Sequence, residues 1–169
     1  MLGRPVCNYG IPGEMAKQGL PRLSRLMTSA DSSVVVVMEG VNDLGAYRTS
    51  SAILRDLTRM LQVVRRRHLF PVLTTLVPTY YPSGHPQHGL NRQVRALSSQ
   101  ILRLAHKQHG TLADVERVFL KDRRGVNLTR HSGVPDYLHP NDAGYRMIAV
   151  TVAKAIKSHL KSGKRSKRE

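Results

Sequence analysis

The alternation of short apolar runs with amphipathic helical segments is the feature that most constrains the fold of this chain. Residues 34–38 are four valines and a methionine, a run that predicts a fully buried strand. Similar apolar runs predict strands over residues 70–76 and 111–115, and a short strand over residues 6–8. Because strands separated by helices pair in parallel through right-handed crossovers, the pattern predicts an α/β fold.

The intervening helices are marked by apolar residues at helical spacing. A first helix is expected over residues 20–27 with Pro21 in its first turn, and a second is expected to begin at Thr49 or Ser50. Gly110 is expected to end a third helix. The predicted buried positions of the second, third and last helices are Ile53, Leu54, Leu57, Met60, Leu61 and Val64, then Leu90, Val94, Leu97, Ile101 and Leu104, then Tyr145, Ile148, Ala149, Val152 and Ile156.

The length of the chain favours one domain. A chain of 169 residues is long enough for a single core, which we expect over residues 1–160, followed by a disordered basic tail over residues 161–169. The single cysteine, Cys7, excludes an internal disulfide. Apolar stretches are all much shorter than the about 20 residues that a membrane span requires.

The charge is strongly basic, since 27 Lys and Arg stand against 11 Asp and Glu, for a net charge of +16. Basic residues crowd the end of the chain, and Arg65, Arg66 and Arg67 end an earlier helix. One interpretation is contact with a polyanion, such as nucleic acid, anionic lipid or acidic polysaccharide. The other is a solvated basic face, with cations at helix C-termini for dipole reasons. Aromatic residues at 5% and the lack of Trp disfavour a single-strand nucleic-acid binder.

The pair Asp136 and His139 has the spacing of a catalytic dyad. A carboxylate three residues before a histidine can accept the Nδ1 proton, fix the tautomer and stabilise the imidazolium. The other ring nitrogen is then available as a general base. Asn141 or Asp142 is expected to cap the last helix and to hold His139 at a rigid helix start.

Two further residues have the chemistry of oxyanion donors. Asn42 follows the strand at 34–38, and the carboxyl ends of strands in α/β sheets are where ligands bind. Gly13 offers a backbone N–H with no side chain in the way. Each has a structural alternative, because Gly13 also suits a turn with positive φ and Asn42 a turn at a strand end. Asp43, next to Asn42, is expected to orient that turn.

Three sequence blocks, in this order and spacing, resemble those of the SGNH hydrolases, also called the GDSL esterase/lipase family. They are residues 8–13 (Asn-Tyr-Gly-Ile-Pro-Gly), residues 39–43 (Glu-Gly-Val-Asn-Asp) and residues 136–141 (Asp-Tyr-Leu-His-Pro-Asn). The resemblance extends over about residues 6–156. It implies a three-layer α/β/α, flavodoxin-like parallel sheet and hydrolysis of carboxylic esters. It also implies that Gly13 and Asn42 form the oxyanion hole, that His139 is the base and that Asp136 is its partner.

The family's nucleophilic serine lies in a Gly-Asp-Ser block on the first strand, which the resemblance places before residue 1. The Ser and that strand are therefore expected to be absent from this sequence. Ser29, Ser32 and Ser33 precede the strand at 34–38, and Ser50 and Ser51 start a helix, so none replaces the nucleophile convincingly. Two interpretations remain: an enzyme truncated before its serine, and a pseudoenzyme that binds an ester, a sugar or a polyanion. Any N-terminal signal would lie in the same segment, so the sequence leaves the localisation unknown.

The expected substrate is a small-molecule or carbohydrate ester, and neither a metal nor an organic cofactor is implied. The loop over residues 78–89, with Tyr80, Tyr81, His85 and His88, is long enough to line a substrate cleft. Two histidines three residues apart also suit a metal, but no Cys or carboxylate nearby in sequence completes a zinc site. The sequence does not indicate which ester is bound or what oligomeric state the chain adopts.

Overall fold

The computed structural model describes residues 3, 5–27, 33–122, 130–131 and 134–165. The elements in this part of the chain are α1 (Ala16–Leu26), β1 (Val34–Val37), α2 (Val41–Gly45), α3 (Ser50–Arg66), β2 (Phe70–Thr74), α4 (Leu90–Lys107), β3 (Thr111–Ala113), α5 (Val115–Lys121), β4 (Arg130–His131), β5 (Val134–Pro135) and α6 (Asp142–Arg165).

The three-layer α/β/α architecture expected from the sequence is confirmed. Strands β1, β2 and β3 form a parallel sheet in that order, and β4 pairs with β5 in a separate antiparallel ribbon. Leu73 packs into a core shared with α1, α3 and α4, whereas its neighbour Val72 packs against Ile156 of α6. Because successive strand residues point to opposite faces, helices cover both sides of the sheet.

The prediction that residues 34–38 form a fully buried strand is wrong, because the outer edge of β1 is partly exposed. β1 pairs only with β2 among the described residues, and Val36 and Met38 are 43% and 37% exposed. The strand expected over residues 6–8 is wrong, because this segment is irregular and Val6 is 82% exposed. A strand forms only where its backbone groups find a partner, and this segment pairs with no described strand.

The N-terminus of α1 lies four residues before the predicted start at residue 20. The helix begins at Ala16 because the carboxylate of Asp43 accepts a hydrogen bond from the Ala16 backbone N–H, one of the donors that a helix start leaves free. Pro21 therefore lies inside the helix and not in its first turn.

The C-terminus of α4 also differs from the prediction, which assigned the end of the helix to Gly110. His109, not Gly110, takes the left-handed conformation (φ 47°), and the Gly110 N–H bonds to the Ala105 carbonyl. α3 ends in the same motif, with His68 at φ 56°. The predicted start of α3 is confirmed, since the Thr49 hydroxyl caps it by accepting from the Ala52 N–H.

Asn141, one of the two residues predicted to cap α6, does so: its side-chain oxygen accepts a hydrogen bond from the Gly144 N–H. Its predicted buried stripe is wrong in part, because Tyr145 is 55% exposed and Ala149 is also exposed. The C-terminal half packs on the sheet through Ile156. The helix continues to Arg165, so residues 161–165 of the expected tail are helical, and residues 166–169 lie outside the described part.

In the described residues, no helix combines the length and the apolar character that crossing a bilayer demands.

Gly40, between β1 and α2, should not tolerate a side chain. Its φ is 128°, and a Cβ atom there would lie 3.1 Å from Leu97 Cδ2 and 3.3 Å from Ile53 Cγ2. Both the backbone strain and the crowding oppose substitution, so we expect Gly40→Ala to lower the free energy of unfolding by about 2 kcal/mol in urea denaturation. Gly89→Ala is the control, since Gly89 has φ −75° and open space at its Cβ position. Equal losses in the two variants would contradict this account.

Candidate active site

Asp136 and His139 form a hydrogen-bonded pair in the turn before α6. Asp136 Oδ2 lies 2.9 Å from His139 Nδ1, and Oδ1 accepts the backbone N–H groups of Leu138 and His139, each at 2.9 Å. Facing an ionised carboxylate, Nδ1 carries the proton and donates it, which leaves the lone pair of the neutral imidazole on Nε2. The His139 side chain is 65% exposed, so the ring is open to an incoming molecule.

The electrostatics of Asp136 favour its ionised form. Partial burial acts to raise the pKa of this carboxyl, but the backbone N–H groups of His139 and Leu138 and the His139 imidazole outweigh it. The pKa therefore lies below its ordinary value of 3.8. An ionised partner at neutral pH is what a histidine needs in order to take up a proton during a reaction.

Asn42 and Gly13 lie together at the carboxyl end of β1. Asn42, at the start of α2, donates from Nδ2 to the backbone carbonyl of Glu14 at 2.9 Å, and Glu14 directly follows Gly13. Gly13 has φ 75°, as its turn interpretation requires. The hydrogen bond fixes the Asn42 amide beside the Gly13 turn and occupies one of its two N–H groups. The other N–H group remains available as a donor.

A buried ion-pair network holds α2 in place. Asp43 is fully buried, and its carboxylate pairs with Arg48 in addition to the Ala16 N–H. Arg48 also binds Asp56 of α3 at 2.7 Å. Hydrogen bonds to these two carboxylates raise the pKa of the Arg48 guanidinium. The network ties α2 to α1 and to α3, and so fixes the backbone next to Asn42.

The loop over residues 78–89 bridges α2 and the dyad. The Tyr80 N–H donates to the Tyr137 carbonyl at 3.0 Å, and the Tyr81 ring meets the Tyr137 ring edge-on at 5.8 Å. At its other end, the Gln87 amide lies 3.8 Å from the Cβ position of Gly45 in α2. The loop therefore contacts both the helix that carries Asn42 and the turn that carries His139.

The two histidines of this loop bind to Tyr81. His85 stacks on its ring with centroids 4.4 Å apart, and His88 Nδ1 lies 3.0 Å from its carbonyl oxygen. Burial, together with the charge of Asp136, raises the pKa of the Tyr81 hydroxyl. Among the described residues, no group of three or more metal-ligating side chains is assembled.

A second group of carboxylates, which the sequence analysis missed, lies around Gly19 of α1. A Cβ atom at Gly19 would lie 3.4 Å from both Glu14 Oε2 and Glu39 Oε1, so the two carboxyl groups flank this glycine. Glu14 is paired with Arg22, which lowers the Glu14 pKa. Burial, with the charges of Glu14 and Asp43, raises the pKa of Glu39 to about 7.

Three of the serines considered as replacements for the nucleophile lie in the described residues. Ser50 and Ser51 are the first residues of α3, as expected, and Ser33 lies at the opposite end of β1 from Asn42. Ser29 and Ser32 lie outside the described residues.

Glu39 should make stability depend on pH. Its pKa is about 7 in the folded chain and about 4.5 in the unfolded chain. The stabilisation of the fold by the protonated carboxyl group is therefore fully present below about pH 4.5 and is lost as the pH rises through 7. Allowing for its partial exposure, we expect the free energy of unfolding of Glu39→Gln, relative to that of the wild type, to increase by about 1 to 2 kcal/mol from about pH 5 to pH 8. Urea denaturation at each pH measures it. The exposed Asp142→Asn should keep the wild-type profile. Parallel profiles for Glu39→Gln and the wild type would refute the assignment.

A model of the GDSL-like lipase/acylhydrolase family matches residues 1–147. No curated protein sequence matches the chain significantly. A GDSL-like lipase from Bacteroides thetaiotaomicron VPI-5482 is similar in structure, with a TM-score of 0.74, 17% identity and coverage of 89% of this chain and 74% of that one.

Two other solved structures are also similar. TesA has a TM-score of 0.67 and 25% identity, over 91% of this chain and 78% of that one. A carbohydrate esterase family 3 structure from Talaromyces cellulolyticus has a TM-score of 0.67 and 18% identity, over 94% of this chain and 78% of that one. Since the family model matches most of the sequence and the fold agrees, this chain belongs to the GDSL-like lipase/acylhydrolase family.

Proposed function

We propose that this chain provides the base and the oxyanion hole of a carboxylic ester hydrolase. The observation that carries the proposal is the Asp136–His139 pair, in which one carboxylate is held by two backbone N–H groups and an imidazole at once. These bonds hold the carboxylate in place, so that the imidazole keeps the one orientation and the one tautomer that a general base requires. Membership of a family of lipases and acylhydrolases supports the same chemistry.

In the proposed reaction, a serine hydroxyl attacks the ester carbonyl while His139 Nε2 accepts the hydroxyl proton. The imidazolium that forms is stabilised by the ionised Asp136. Collapse of the tetrahedral intermediate expels the alcohol, which takes its proton from His139, and leaves an acyl-serine. Water then attacks the acyl-serine with His139 again as base, which releases the acid and regenerates the serine.

The negative charge of the tetrahedral intermediate is assigned to the Gly13 N–H and the Asn42 amide. Donors that are already oriented cost no reorganisation during the reaction, and the loss of one such donor typically costs about 3 to 4 kcal/mol. The bond from Asn42 Nδ2 to the Glu14 carbonyl supports this role, because it fixes the amide beside the Gly13 turn.

The nucleophile is assigned to a serine at the end of a further strand, added along the outer edge of β1. The edge supports this assignment, since β1 has no second partner among the described residues and Val36 is exposed there. In a parallel sheet the carboxyl end of the added strand would lie beside Asn42, which follows β1 directly. The site is then complete without a metal or an organic cofactor.

The substrate is proposed as an ester without further definition. One structural neighbour is named a GDSL-like lipase and another a carbohydrate esterase, so neighbours with this fold carry names of different ester specificities. We therefore choose a small activated ester, p-nitrophenyl acetate, as the probe.

The test compares the chain of 169 residues with an extended chain that carries a Gly-Asp-Ser strand before Met1. The unextended chain should hydrolyse p-nitrophenyl acetate no faster than its own His139→Ala variant. The extended chain should be faster by at least about a hundredfold, and His139→Ala should abolish that gain. Asn42→Ala should reduce the gain by about a hundredfold or more. His106→Ala, which removes an exposed histidine of α4, should leave the rate unchanged.

Two results would contradict the proposal. An extended chain with the native fold and no gain in rate would favour the alternative of a non-catalytic binding module. Rapid, His139-dependent turnover by the unextended chain, with a fluorophosphonate adduct on an internal serine, would show that the nucleophile assignment is wrong.

A further inference from the structure

Helices α3, α4 and α6 all end at the amino edge of the sheet, opposite the candidate active site. α3 ends at Arg66, just before β2, and α4 ends at Lys107, just before β3. α6 returns to the same edge, because His159 stacks on Phe70, the first residue of β2, with ring centroids 3.5 Å apart. The topology of the crossovers therefore gathers these helix C-termini on one side of the molecule.

Hydrogen bonds join the end of α3 to the end of α4. Arg65 donates from Nη1 to the Gln108 side-chain oxygen at 3.1 Å and from Nη2 to the Gln108 carbonyl at 2.5 Å. The same guanidinium lies 3.5 Å from the Cβ position of Gly110, which leads into β3. These contacts join the ends of α3 and α4 into one surface.

Basic side chains cover this surface. The exposed ones at the ends of α3, α4 and α6 are Arg66, Arg67, Lys107, Lys157 and Lys161, which we call the amino-edge basic surface. α6 continues beyond His159 through Lys161 to Arg165, so its last turn extends past the start of β2. The helix dipoles place partial negative charge at these C-termini, which lets cations gather there without destabilising the fold.

Carboxylates are concentrated at the other side of the molecule. In the described residues, every Asp and Glu except Asp122 lies before a helix or within its first two turns, which is the carboxyl side of a parallel α/β sheet. Three of them are already paired with Arg22 or Arg48. The charge of +16 is therefore not spread evenly, and the amino-edge basic surface contributes a concentrated part of it.

We propose that the amino-edge basic surface binds the phosphate backbone of a double-stranded nucleic acid without reading its sequence. Duplex phosphates are regularly spaced, dense negative charges, and Lys and Arg side chains bind them by displacing counterions. Single strands are disfavoured because they need aromatic stacking platforms. The chain has no Trp, and the Phe70 ring is covered by His159.

An anionic membrane fits this surface less well. Helices that lie in a membrane interface present a continuous apolar face below their basic residues. Leu160, 53% exposed between His159 and Lys161, is an isolated apolar side chain and not such a face. A membrane docked here would also face away from Asn42 and His139, at the opposite edge of the sheet.

The test measures binding of the full chain to a fluorescein-labelled duplex of mixed sequence by fluorescence anisotropy, over a series of salt concentrations. The variant Arg66→Gln, Lys107→Gln, Lys161→Gln removes one charge from the end of each helix. We expect its Kd to rise at least about tenfold at low salt, and the slope of log K against log salt to fall by about 2 to 3.

The control variant is Arg55→Gln, Arg92→Gln, Arg146→Gln, which removes three exposed charges from the first halves of the same helices. It has the same net charge as the test variant but alters the other side of the molecule, and its Kd and slope should match the wild type. Circular dichroism checks that both variants are folded. Equal weakening in the two variants would overturn the proposal, because net charge alone would then explain binding. Binding to phosphatidylserine vesicles without binding to the duplex would overturn it in favour of a membrane.

Discussion

The buried carboxylate of Asp43 is the interaction on which the arrangement of this molecule depends. It is fully removed from solvent and pairs with both the Ala16 N–H and Arg48, whose other nitrogen binds Asp56. Breaking a buried pair by removing one partner typically costs about 3 to 5 kcal/mol, because the remaining charge stays buried. The pairing fixes the start of α1 and the position of α2, and Asn42 is the residue directly before Asp43.

The two halves of the candidate site are held in different ways. The dyad is local, since one turn of chain supplies both partners and the backbone donors that orient them. The proposed oxyanion hole depends on a contact across 28 residues, from Asn42 to the Glu14 carbonyl. The loop over residues 78–89 then joins the halves through Tyr80, Tyr81 and Gln87. The placement of the two halves relative to each other therefore depends on α2, which follows β1, and on this loop, which follows β2.

Features decided by local interactions could be predicted from the sequence. The apolar stripe and the Thr49 cap of α3, the Asn141 cap of α6 and the Asp136–His139 pair all involve residues within a few positions of each other. Features decided by distant partners could not. The apolar segment at residues 6–8 has the composition of a strand, but pairing decides whether it forms one. The raised pKa of Glu39 arises from burial beside Glu14 and Asp43, which no sequence spacing reveals.

The proposed mechanism requires that one carbonyl group be reached at once by His139 and by the Gly13 and Asn42 donors. The most direct test is a crystal structure of the serine-extended chain with a phosphonate ester on that serine. We expect a phosphonyl oxygen about 3 Å from both the Gly13 nitrogen and Asn42 Nδ2, with His139 Nε2 in hydrogen-bond reach of the serine oxygen. A separation beyond about 10 Å between the Asn42 amide and the His139 ring would contradict it, because no single reacting group spans that distance.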